Sequence, residues 1–61
     1  MLDQEEVRNV RNAMRKYGGS FVEALGEALA RADSENQSKI RETWPEYWAQ
    51  YKAMAKKEAS R

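Results

Sequence analysis

The chain has 61 residues, 41% of them hydrophobic and 34% charged, with a formal net charge of +1; at this length a single core barely suffices, so further burial at a subunit or partner interface is expected. Cysteine and histidine are both absent, which excludes a disulfide framework, a Cys/His zinc site, a thiol nucleophile and an imidazole acid or base. Apolar runs extend only a few residues, too short for a signal-peptide core or a membrane span, so the expectation is a cytoplasmic protein with no membrane partner.

Asp3-x-x-Glu6 reads as a capping box for a first helix over about 4–17, with Leu2 placed to staple onto Val7. Val7, Val10, Met14 and Tyr17 then share one face, and Gly18 supplies the left-handed residue that commonly closes a helix. Gly19 sharpens the corner. Ser20-x-x-Glu23 is a second capping box, for a helix over about 21–32 that turns Phe21, Val22, Leu25 and Leu29 inward. Gly26 would cost this helix about 1 kcal/mol against alanine. Its reading is close approach of a neighbouring helix or aromatic ring, or else a contact surface for a partner.

Ser34-x-x-Gln37 is able to cap a short third helix over about 35–43, anchored only by Ile40 and Trp44. Pro45 disfavours helical geometry at Trp44, and Thr43-x-x-Glu46 offers a fresh cap, so a break is expected near 43–45. A fourth helix over about 45–58 carries Tyr47, Trp48, Tyr51 and Met54 and closes on Lys56 and Lys57, which suit the negative end of its dipole. No strand-like alternation or internal repeat appears. The expected architecture is all-α, one domain over 1–61, a small bundle of three to four short helices.

The aromatic stripe Trp44, Tyr47, Trp48, Tyr51 reads first as core that covers the alanine-rich second helix, with part of it free as an interface patch. On that division Trp44 and Tyr47 lie inside, and Trp48 or Tyr51 lies at an interface. Arg8, Arg11 and Arg15 form an edge beside the apolar face of the first helix. They either bind phosphates or lay their stems on the core and pair with Glu23, Glu27, Glu42 or Glu46. A helix-turn-helix reading fails, because the second helix would present Glu23 and Glu27 to the phosphates. Gly18-Gly19-Ser20 has no preceding strand and no lysine after it, so it reads as a helix–helix turn rather than a phosphate loop. The lysines and arginine at Lys52, Lys56, Lys57 and Arg61 read as a solvated helix end, and the paired carboxylates Glu23/Glu27 and Glu42/Glu46 as ion-pairing surface positions.

The block over 17–29, from Tyr17-Gly18-Gly19-Ser20-Phe21 to Leu29, followed by Ala32-Asp33 and Trp44-Pro45-Glu46-Tyr47-Trp48, resembles short helical proteins encoded in tailed-phage and prophage genomes. The resemblance covers about residues 9–51. It implies a small accessory protein that acts by binding a host or viral protein, inhibitors of host defence included.

The resulting expectation is a non-enzymatic chain with no cofactor and no metal, working by protein–protein contact and self-associated as a homodimer. Its expected contact residues are Trp48, Tyr51, Arg8, Arg11 and Arg15. The alternative is a nucleic-acid-binding accessory that uses Arg8, Arg11, Arg15, Lys16 and the C-terminal lysines.

Overall fold

The computed structural model describes residues 3–59, which form four helices: α1 Gln4–Tyr17, α2 Ser20–Arg31, α3 Ser34–Thr43 and α4 Pro45–Ala59. The expected all-α class and the number of helices are as observed, and the described residues contain no strand. Both Leu2, the proposed staple, and Arg61 lie outside the described residues.

α1 is the central element. α2 and α4 pack against it, and α3 bridges the other two. Val7, Val10, Ala13 and Met14 from α1 meet Val22, Leu25 and Leu29 from α2 and Trp48 and Tyr51 from α4. Ile40, Trp44, Tyr47, Met54 and Ala55 close the margins. The α4 stripe therefore covers α1 rather than lying mainly on α2, so the bulky side chains face a helix whose inward residues are themselves large.

The caps differ from the sequence reading in chemistry more than in place. Asp3 caps α1 by accepting from the backbone N–H of Glu5 at 3.0 Å. The reciprocal half of the box is not made, because the Glu6 carboxylate reaches α4 instead. Gly18 is not left-handed: it is extended at φ −76, ψ 155, and no described residue has positive φ. What requires glycine there is space. A Cβ would stand 2.5 Å from the Met14 carbonyl oxygen and 2.6 Å from Val22 Cγ1.

Ser20 is not the cap of α2. It is the first helical residue, and Gly19 takes the cap position with no side-chain hydrogen bond. In α3 the cap is Asp33 rather than Ser34, accepting from the Asn36 N–H at 2.9 Å. The α3–α4 break falls where Pro45 puts it. Trp44 leaves helical geometry at φ −127, ψ 63 and links the helices: its N–H donates to the Ile40 carbonyl, and its own carbonyl accepts from the Trp48 N–H. Thr43 does not cap α4, since its hydroxyl donates back to the Lys39 carbonyl at 2.6 Å.

Candidate functional site

The division of the aromatics is the reverse of the sequence expectation. Trp48 and Tyr51, assigned to an interface, are only 4% and 6% exposed within the single chain. Trp44 and Tyr47, expected inside, are half-buried. The reason lies in partners. Trp48 finds an acceptor for its indole N–H in Glu6 at 2.9 Å, which permits full burial of the ring against α1. Trp44 sits in the interhelical break, at the margin of the core.

Phe21, expected to point inward, is 54% exposed. It stands at the edge of a stripe centred on Val22, Leu25 and Leu29, and those three fill the space over α1. The displaced ring packs instead on Trp44, edge-on at 5.9 Å between centroids and 67° between planes, and on Tyr47 at 6.1 Å and 50°. Three aromatics from α2, the α3–α4 break and α4 thus form one surface ridge. Tyr17, also expected inward, is 46% exposed at the end of α1, where its hydroxyl donates to the Glu58 carboxylate beneath the Lys16 ammonium.

The arginine edge is uneven. Arg8 is exposed. Arg15 meets Glu27 at 3.5 Å, and Glu27 also holds Arg31 at 3.5 Å, so one of the carboxylates proposed as a pairing partner is used. Arg11 is half-buried, and its Nε is buried with no hydrogen-bond partner among the described residues. Its backbone carbonyl approaches Gly26 at the α1–α2 crossing. Arg15 and Lys16 line an open depression with Glu23 and Glu27, a mixed-sign surface rather than a basic one. That mixture disfavours a phosphate backbone along this face.

A further polar node went unread in the sequence. Glu6 accepts from Trp48 Nε1 and meets Lys52 Nζ at 3.0 Å. The Trp48 hydrogen bond, then the Lys52 hydrogen bond, holds its carboxyl below the ordinary 4.5 against the opposing effect of burial. Such a carboxylate is committed to structure and charged at neutral pH. It is poorly suited to proton transfer there. Gln37, read as part of a cap, is instead the buried polar residue of α3, exchanging amide hydrogen bonds with Gln4 and donating to the Ala32 carbonyl at 3.2 Å. The signal for it was the spacing 37, 40, 44, which puts Gln37 on the inward face with Ile40 and Trp44.

Among the described residues no group of three or more acidic side chains is placed to hold a metal ion, and no helix is long and apolar enough to cross a membrane. No protein-family model matches the chain, and no curated protein or solved structure is similar to it at a significant level.

Proposed function

We propose that this chain is a small, non-enzymatic accessory protein of phage or prophage type that acts by binding another protein. The observation that carries the reading is Phe21, exposed over half its surface while packed edge-on against Trp44 and tilted against Tyr47. Single exposed apolar residues are ordinary in a soluble protein, whereas a contiguous aromatic ridge is a feature of interaction surfaces. Trp and Tyr are the side chains whose burial most often dominates binding, and a ridge held by ring–ring contacts presents them with little ordering left to do. A host protein of the defence class is the partner that the resemblance to phage and prophage proteins favours. A second copy of the chain, which would sit on the same ridge across a two-fold axis, is the simplest homodimer.

The test is affinity capture from a nuclease-treated bacterial lysate, with the wild-type chain and the Phe21→Ser variant compared by mass spectrometry. The exposed position of Phe21 predicts that the variant folds as the parent does. A protein retained by the wild type and lost with Phe21→Ser supports the reading. Capture that disappears with nuclease, or a retained set indifferent to Phe21→Ser, overturns it.

A further inference from the structure

Beside Trp44 the surface dips into an open depression of about 450 Å³ between α2 and α3. Its apolar lining is Ala28 from α2, Ala32 just past the end of that helix, Ile40 from α3 and Trp44. Trp44 is shared with the ridge through its contact with Phe21, so groove and ridge form one apolar strip. The alanines matter here, because a larger side chain at the exposed position 28 would fill the depression.

The charged lining has one sign, beside the neutral Asn36 and Thr43. The charged residues of the groove are Arg31 and Lys39, both cations, on opposite walls. The indole N–H of Trp44 has no acceptor among the described residues. Arg31 and Lys39 do have carboxylates nearby, Glu27 at 3.5 Å and Glu35 at 3.8 Å, each one helical turn away on its own helix. Those pairs are open to solvent, with the cation side chains 80% and 68% exposed, and pairs of that kind contribute only about 0.3–0.5 kcal/mol. Exchanging them for an incoming carboxylate therefore costs little. A groove with an apolar floor and cationic walls matches a helix with one apolar face flanked by acidic residues, the helix-in-groove mode of peptide recognition.

From this we infer that the α2–α3 groove, floored by Ala28, Ile40 and Trp44 and walled by Arg31 and Lys39, receives an acidic amphipathic segment of a partner protein. The inference rests on the protein-binding reading above and adds the chemistry of the partner. The apolar floor favours a peptide over a nucleic acid, which would leave the floor uncovered by its phosphates.

The probe is a displayed library of random linear peptides about 16 residues long, room for four helical turns, selected against the whole chain. The enriched sequences are expected to carry apolar residues at helical spacing with Asp or Glu beside them. A synthetic peptide of the enriched sequence should lose affinity by about tenfold when Arg31→Gln and Lys39→Gln are combined, and by a similar factor with Ala28→Gln, which fills the floor while leaving the charge unchanged. All three positions are exposed, so circular dichroism and the melting curve should remain those of the parent.

Enrichment of basic or purely apolar peptides, no enrichment, or binding indifferent to both variants overturns the inference. Preferential binding of a single-stranded oligonucleotide over the enriched peptide does so as well. If lysate capture is lost with Phe21→Ser yet unaffected by the groove variants, the groove inference fails while the protein-binding reading stands.

Discussion

The indole N–H of Trp48 donates to the Glu6 carboxylate at 2.9 Å, across forty-two positions of sequence, and ties α4 to the first turn of α1. Because the ring is 4% exposed in the single chain, its removal opens a cavity rather than an interface. Trp48→Ala should therefore cost about 3–5 kcal/mol, the range for deleting a large buried ring. In a chain this small that approaches the whole stability. Urea unfolding followed by circular dichroism should show an unfolded or barely folded variant. A cooperative transition close to that of the parent would mean that the ring is not part of the core.

The same carboxylate makes stability depend on pH. The Trp48 and Lys52 hydrogen bonds lower the folded pKa of Glu6 beneath its ordinary 4.5. A group with a depressed folded pKa contributes stability above its unfolded value and loses it as pH falls through the folded one. The chain should thus lose stability on acidification below about pH 4.5 in part through Glu6. The Glu6→Gln variant should be less stable than the parent at neutral pH, with the gap closing in acid. Thermal melts across that range check this, and two curves that stay parallel throughout would sink it.

At the α1–α2 corner three neighbouring residues should respond in three different ways. Ser20 makes no cap hydrogen bond, so Ser20→Ala should leave the melting temperature nearly unchanged. Gly19 holds the cap position at φ −73, ψ −174 with nothing near its missing Cβ, so Gly19→Asp should stabilise by about 0.5–1 kcal/mol through a new cap and a stiffer unfolded chain. Gly18→Ala should destabilise by about 1–3 kcal/mol, because the new methyl meets the Met14 carbonyl and Val22. A differential scan of the three variants decides the corner; equal melting in all three would mean that the close approach at Gly18 is wrong.

Helix positions were legible in the sequence because apolar spacing and the break at Pro45 act locally: α1 lies over 4–17 as the pattern predicts, and the other helices start and end within a residue of expectation. The caps at Ser20, Ser34 and Thr43 differ from expectation because Gly19 and Asp33 adjoin the first two and take the cap positions, Asp33 with a side-chain hydrogen bond, while the Thr43 hydroxyl is spent on the Lys39 carbonyl. The site was less legible. Whether Trp44 or Trp48 is inside depends on which ring finds an acceptor across the fold, and Glu6 is on another helix. Phe21 shares the apolar side of α2 with Leu25 and Leu29 but stands at its edge, and Val22 rather than Phe21 enters the core. Such long-range choices leave no periodic trace.

Gly26 is where local propensity and packing oppose each other most directly. In an isolated helix, Gly→Ala gains about 1 kcal/mol. Here a Cβ would stand 2.9 Å from Met14 Cβ, 2.9 Å from Arg15 Cγ and 3.1 Å from the Arg11 carbonyl oxygen. The Arg15 stem is free to swing, since its pair with Glu27 is half exposed at each end and holds it weakly. Met14 is fully buried, and the Arg11 carbonyl belongs to the α1 backbone, so neither yields unless α2 lifts off. Lifting α2 would loosen Leu25 and Leu29 from the core at the same time. Overpacking of this kind costs about 1–3 kcal/mol and should outweigh the propensity gain. Gly26→Ala is therefore expected to unfold at lower urea than the parent, and Gly26→Leu at lower urea still. A stabilised Gly26→Ala would show that α2 and α1 are farther apart than the crossing at Arg11 and Met14 requires.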